Sequence, residues 1–334
     1  MKRFTLFSCL LFVALIGCAN EKGDAEVGAT LSEDTAEAAV RKIMEGVKNG
    51  QPVVAWHALP ESYQSDVNEL VQTFGKNMDA QTWQQVTGLL SSIHSVLDTK
   101  QEFIFNHPGI AGGQNPESAK QGIVHVTGLL KTILDSAGSL DKLKTFDGTK
   151  FMETTGATVA EQLSALKAII PENSGAPVAL MSFGDVQVET VEATDSTATL
   201  KFVKANGEAE ETPFVKVQGK WLPKDMVDDW DQNMTESRQA LAELPKKAAG
   251  MRMQVMGVGG MIGGMLTPLQ SAETQEQFNT SVDNLVAGAG MFLGPLMGGG
   301  GPAMIEPPAP PESLGDSFGQ DAERKDKPLQ PTGK

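Results

Sequence analysis

The sequence predicts an α+β fold that is mostly helical, with a small antiparallel meander and a C-terminal pair of helices rich in glycine and methionine. Three observations predict this class. Apolar residues recur at helical spacing through most of residues 32–182. Residues 183–223 instead alternate in twos between turn residues, as strands do. Helical spacing returns at Asp225 and leads into VMGVGGMIGGMLTPLQ, residues 255–270.

The first two helices follow from capping residues and prolines. Ser32 or Asp34 is the expected N-cap of the first helix, which ends at Asn49-Gly50. Pro52 then opens a short helix that stops before Pro60. The apolar stripe of the first helix consists of Ala36, Val40, Ile43 and Val47.

Similar signals predict the remaining helices of this region. Asp79 is a good N-cap for one helix, and Asn115-Pro116 places a cap directly before a proline at the first helical position. Between these two helices, NHPGIAGGQ is typical of a loop. A further helix is expected over residues 151–169.

The meander is predicted to have three antiparallel strands and a short fourth strand that ends at Trp221. Its turns fall at Asp195-Ser196, Asn206-Gly207 and Gly219. The alternation assigns one set of side chains to the core: Val186, Val188, Leu200, Phe202, Val215 and Val217. It assigns Lys201, Lys204 and Lys216 to the solvent side.

The N-terminus, MKRFTLFSCLLFVALIGCAN, has the layout of a secretory signal peptide. Lys2 and Arg3 precede an apolar run from Phe4 to Gly17, which is shorter than the roughly 20 residues of a transmembrane helix. The run ends in Leu15-Ile16-Gly17-Cys18, which resembles the lipobox of bacterial lipoproteins. The resemblance implies cleavage before Cys18 and its acylation, with chains such as palmitate.

The residue after Cys18 bears on localisation. Bacterial lipoproteins with aspartate at that position stay in the inner membrane, and here it is Ala19. The resemblance therefore implies a protein anchored to the outer membrane and facing the periplasm. Two or more acyl chains make a stable anchor, so the bilayer is one expected partner.

Charge and cysteine content exclude several function classes. Lys2 and Arg3 leave with the signal, so the mature chain has 25 basic and 42 acidic residues, a net charge of −17. Such an acidic chain is not expected to bind nucleic acid or to dock electrostatically on anionic lipid. Cys9 lies in the signal and Cys18 is the lipid site, so no disulfide is expected.

A second resemblance rests on the first helix, which ends in Asn-Gly, and on the meander that closes on Gly219-Lys220-Trp221. Together they look like lipoproteins of the nuclear transport factor two-like, or cystatin-like, superfamily, whose curved sheet packs around a helix to make a cone-shaped pocket. The resemblance implies a pocket that Trp56, His57 and Tyr63 would line. The competing interpretation makes these three side chains core contacts.

No G-x-S-x-G elbow, P-loop or dinucleotide fingerprint occurs in the sequence. Ser164-Ala-Leu-Lys167 matches S-x-x-K but has no S-D-N or K-T-G companion, so no catalytic residue or metal ligand is assigned. None of the four histidines pairs with another at helical spacing. The spacing of Met251, Met253 and Met256 has some character of a Cu(I) site, but methionine also fills irregular cores. We therefore expect no cofactor.

Residues 255–270 are best explained by close helix packing. Five of the first ten are glycine, and each glycine in a helix costs about 1 kcal/mol relative to alanine, which close backbone approach offsets. Gly257, Gly260 and Gly264 recur at helical spacing, and Gly290 and Gly294 offer a matching small surface. The predicted hairpin is either buried in the fold or paired with an envelope protein. Membrane association through residues 255–305 stays an alternative.

The sequence thus predicts a lipid-anchored cell-envelope protein that is a non-enzymatic binding or structural module. A carrier or enzyme with a cone-shaped pocket is the alternative. The expected organisation is a signal peptide (1–17), a lipid-anchored tether (18–31), a helical region (32–182), a meander (183–223), C-terminal helices (224–297) and a disordered tail rich in proline and glycine (298–334).

Overall fold

The computed structural model describes residues 34–113, 115–169, 186–204 and 206–296. The fold is α+β, as predicted, and its helical region contains ten α-helices among the described residues. They are α1 (Ala36–Lys48), α2 (Val53–His57), α3 (Glu61–Asn77), α4 (Ala80–Thr99), α5 (Gln101–Phe105), α6 (Pro108–Ala111), α7 (Pro116–Ala137), α8 (Leu140–Lys144), α9 (Gly148–Phe151) and α10 (Ala157–Ile169).

The helix starts follow local capping chemistry. Asp79 accepts from the backbone N–H of Thr82 at 2.8 Å and Asn115 from that of Ser118 at 3.4 Å, which confirms both predicted N-caps. The cap of α1 is Thr35. The prediction of Asp34 as the cap is wrong because its carboxylate pairs with Lys216 instead. Ser32, the other predicted cap, lies outside the described residues.

Two segments contain more helix than the sequence predicts. The expected loop, residues 106–114, contains the short helix α6, which His107 caps, and a further short helix, α5, lies directly before it. The helix expected over residues 151–169 is divided, because a π-helical turn, Met152–Gly156, joins α9 to α10. Gly156 in this turn lies close to Pro52, where a Cβ would approach the proline ring to 3.2 Å.

The sheet is a four-stranded antiparallel meander in the order β1-β2-β3-β4. Its strands are β1 (Gln187–Ala193), β2 (Thr197–Val203), β3 (Ala209–Val217) and β4 (Lys220–Pro223). Helix α1 covers one face, where Ala36 and Val40 join a buried cluster. The sheet contributes Val188, Ala198, Leu200, Phe214 and Trp221 to this cluster. One face of the sheet is thus filled by a helix.

The predicted orientation of β3 is wrong by one residue. Phe214 lies in the cluster under α1, so Val215 and Val217 point to the opposite face. Lys216 consequently shares the α1 side, with its ammonium 5.5 Å from the centroid of the Trp221 ring. The long aliphatic stem of lysine permits this because it covers apolar surface while the charged end reaches a carboxylate.

Two further helices complete the described chain: α11 (Lys224–Ser271) and α12 (Gln275–Leu296). The predicted C-terminal helical pair is confirmed, with its turn at residues 272–274. Helix α11 runs parallel to α4, as contacts at both ends of α4 show. At the start of α4, Arg252 pairs with Asp79. Just after the end of α4, Lys100 donates to the carbonyl of Ala272. A buried cluster joins the two helices to α12: Val96, Leu266, Leu269, Ala272 and Phe278.

Contacts along the chain define two units, residues 1–285 and residues 286–334. Every cluster and contact above lies in the first unit. In the second unit the described residues, 286–296, are the last turns of α12.

Candidate functional site

The structure does not bring the predicted trio Trp56, His57 and Tyr63 into one pocket. Trp56 is buried, and its indole N–H donates to Thr149 Oγ1 at 3.0 Å. A Cβ on Gly148 would lie only 2.2 Å from the Trp56 ring, which is too close for any side chain. Trp56 is therefore a core residue whose packing requires glycine at position 148.

Tyr63 is also a packing residue. Its ring stacks on Trp230 with centroids 3.9 Å apart and an interplanar angle of 5°. Burial, with the carboxylates of Asp231 and Asp66, raises the pKa of the Tyr63 phenol above its ordinary value of 10.0. The phenol thus stays protonated at neutral pH, which does not suit a general base. His57, in contrast, is exposed at the rim of a surface cleft.

The described residues contain no group of three or more histidine, cysteine, aspartate or glutamate side chains that could hold a metal ion. Likewise, no helix in the described ranges is both long enough and apolar enough to cross a bilayer.

The most distinctive surface is one face of α11, which we call the glycine-methionine face. It consists of Met253, Met256, Gly257, Gly260, Met261 and Gly264, all of them exposed. Met253 exposes 77% of its surface and Met256 54%. The opposite face of α11 packs on α4 through Leu266 and Leu269. No charged side chain occurs from residue 253 to residue 272.

The glycines of this face have open space where a side chain would lie. A Cβ built on Gly257, Gly260 or Gly264 would meet no heavy atom within 4 Å. Close packing against the described residues therefore does not occur, whereas packing against Gly290 and Gly294 stays a prediction. Pairing with another protein stays a prediction. Gly290 and Gly294 lie in α12, but their surroundings are outside what the structure describes.

The methionines of α11 also differ from expectation. Methionine as a core filler does not explain Met253 and Met256, which are exposed. Helical spacing alone did not show which side of this helix faces α4, because glycine and methionine occur on all sides of it. The predicted lipidation site Cys18, the predicted tether and the predicted tail lie outside the described residues.

One polar cluster, built around the buried carboxylate of Glu37, has no counterpart in the sequence-based predictions. Glu37 on α1 accepts from the Thr190 hydroxyl at 2.6 Å and from its backbone N–H at 3.1 Å. Arg41 pairs with the same carboxylate at 2.8 Å and donates to the carbonyl of Val188. Burial raises the pKa of Glu37, but the bonds from Thr190 and Arg41 outweigh burial and hold it below its ordinary value of 4.5. The cluster fixes α1 to β1.

Comparison of the chain with protein-family models, with curated proteins and with solved structures gives no match.

Proposed function

We propose that this protein is a lipid-anchored module of the cell envelope that binds a partner protein through the glycine-methionine face of α11. The observation that carries the proposal is an exposed, uncharged helix face with three glycines whose Cβ positions are empty. Large exposed apolar patches on folded proteins mark interaction sites.

The kind of partner follows from the shape of this face. Glycines at positions 257, 260 and 264 leave a shallow groove along the helix, so another helix can approach the backbone closely. The flanking methionines are flexible and polarisable, and they adapt to an apolar surface. We therefore propose an apolar helix of an envelope protein as the partner.

The proposed anchor is acylated Cys18. Fifteen residues separate Cys18 from Asp34, where the described fold begins. Fully extended, they span at most about 55 Å, so the fold stays near the membrane surface. Anchoring restricts the search for a membrane-bound partner and raises its effective concentration.

The experiment compares four chains in detergent extracts by size-exclusion chromatography with light scattering: wild type, Cys18→Ala exported through a non-lipoprotein signal, the triple variant Gly257→Leu/Gly260→Leu/Gly264→Leu, and Gly88→Leu. Gly88 is the matched control, because it is an exposed helical glycine whose Cβ position is also empty. We expect wild type and Gly88→Leu to elute as one complex heavier than the monomer.

The variants separate the two parts of the proposal. In the chromatography, the triple leucine variant should elute as the monomer. When membranes are pelleted before detergent is added, Cys18→Ala should no longer be in the pellet. If the triple variant keeps the wild-type mass, the face is not the binding surface. If Cys18→Ala fractionates like wild type after a high-salt wash, Cys18 is not the essential anchor, and the protein is held at the membrane in another way.

A further inference from the structure

A second surface feature lies where α1, α2 and the β3–β4 turn meet. These three elements border an open surface cleft of about 320 Å³. Its floor is apolar and includes Ile43, Val54 and Trp221. Its rim carries Lys42, His57 and Lys220. A volume of this size is at the lower end for small-molecule sites.

The charge at this cleft is opposite to that of the chain. The protein carries a formal charge of −15, yet the rim holds two lysines. Asp34, the acid at the cleft, is engaged by Lys216 at 2.6 Å. Among the described residues, neither Lys42 nor Lys220 has a carboxylate within ion-pair distance. The two ammonium groups are thus available to an anion.

The β3–β4 turn that carries Lys220 is held in place. Gln218 and Gly219 both have positive φ, at 51° and 79°, as in the two-residue turns that connect twisted strands. This conformation is unfavourable for a residue other than glycine, and the Gln218 side-chain amide donates to Ser62 Oγ at 3.0 Å. On the other side, the Trp221 indole N–H donates to the carbonyl of Asp34 at 2.9 Å. Trp221 is therefore fixed in the wall of the cleft, and Lys220 beside it at the rim.

We propose that this cleft binds a small amphiphilic monocarboxylate, with the carboxylate between Lys42 and Lys220 and the apolar chain against Ile43, Val54 and Trp221. The unpaired ammonium groups select the anion and the apolar floor selects the chain. Binding here is independent of the glycine-methionine face, because the cleft and that face share no residue.

The test titrates octanoate into the full mature Cys18→Ala chain by isothermal titration calorimetry. The double variant Lys42→Gln/Lys220→Gln should bind octanoate about tenfold more weakly, as expected for the loss of two solvent-exposed ion pairs. The control is Lys76→Gln/Lys246→Gln, which removes two exposed lysines elsewhere and should leave affinity unchanged. The neutral analogue octanamide should bind wild type about tenfold more weakly than octanoate does.

Two results would overturn the proposal. One is the absence of saturable octanoate binding to wild type below about 10 mM, an affinity weaker than small-molecule sites provide. The other is equal affinity of the two double variants, which would show that the cleft lysines do not hold the carboxylate. Both substitutions are of exposed side chains, so circular dichroism is expected to show an unchanged fold.

Discussion

At the scale of single residues, Glu37 shows how a charged group is accommodated at a helix–sheet contact. It lies next to Ala36 at the edge of the apolar stripe of α1, and 8% of its surface is exposed. Its carboxylate accepts hydrogen bonds from Thr190 and Arg41, which stabilise the charged form. Because these bonds hold the pKa of Glu37 below 4.5, the charged form favours the folded state.

We expect Glu37→Gln to lower the free energy of unfolding at pH 7 by about 1 to 2 kcal/mol, through loss of charge-assisted hydrogen bonds. A carboxylate whose pKa is lowered on folding stabilises the folded state fully at pH values above its pKa in the unfolded chain, which is near 4.5. This stabilisation is lost as pH falls through the pKa of the same carboxylate in the folded protein. The difference between wild type and variant should therefore shrink below pH 4.5. Urea unfolding at pH 7, 5, 4 and 3 measures it.

The control for this prediction is Glu45→Gln, on the same helix. Glu45 is exposed and has no ion pair in the described part of the chain, so its variant should match wild type at each pH. A stability difference for Glu37→Gln that stays constant from pH 7 to pH 3 would show that the carboxylate's charge does not contribute.

Residue orientations were predicted unevenly from the sequence. Val188 and Leu200 face the core as predicted, because apolar and polar residues alternate cleanly around them. In β3, apolar residues occur on both faces, with Phe214 beside Val215, so alternation alone cannot decide between the two orientations. The Lys216–Asp34 pair that accompanies the observed orientation joins residues 182 positions apart, and no local signal reveals it.

At the scale of elements, α11 is continuous over 48 residues despite two prolines inside it. Pro245 has no N–H, so it cannot donate to the carbonyl of Leu241 four residues earlier. The side-chain amide of Asn77, the last residue of α3, donates to that carbonyl instead at 2.9 Å. A neighbouring helix thus supplies the hydrogen bond that proline removes.

A double-mutant cycle tests this explanation. Asn77→Ala alone should destabilise the protein by about 1 kcal/mol, because it leaves the Leu241 carbonyl without its donor. In a Pro245→Ala background the same change should cost much less, since the substituted alanine restores an N–H to the helix. Thermal unfolding of the four chains gives the coupling energy. An equal cost of Asn77→Ala in both backgrounds would contradict the explanation.

The glycines of α11 provide a second test at this scale. Because their Cβ positions are empty, Gly257→Ala/Gly260→Ala/Gly264→Ala should raise the stability of the isolated chain, with a gain of up to about 1 kcal/mol per site from helix propensity. The readout is the unfolding midpoint in urea of the Cys18→Ala chain. A loss of stability would instead indicate that these glycines pack closely within the molecule.

The elements were more predictable than their contacts. Asp79, Asn115-Pro116 and the two-residue alternation of the sheet are local signals, and the elements they predict are present. The exposed side of α11 was not predictable, since it depends on which face meets α4. The cleft residues Lys42 and Lys220 are separated by 178 positions, so only the tertiary fold brings them together.

At the scale of the whole molecule, the described fold leaves two surfaces that its own packing does not explain. One is the glycine-methionine face of α11, and the other is the cleft between α1, α2 and the β3–β4 turn. The face has apolar character without charge, whereas the cleft combines apolar walls with two ammonium groups that have no ion pair among the described residues. In the proposed function, acylated Cys18 holds the molecule at the membrane and the face of α11 binds its partner.

We propose that a partner covers the glycine-methionine face in the cell, and the accessibility of an introduced thiol on this face measures whether it is covered. Gly260→Cys places a single cysteine on that face, and Gly88→Cys places one on the exposed side of α4. A membrane-impermeant maleimide is added to purified chains and to permeabilised cells, and mass spectrometry measures labelling at each site. We predict equal labelling rates in the purified chains and at least tenfold slower labelling at position 260 than at position 88 in cells. Equal rates at the two positions in cells would contradict the claim.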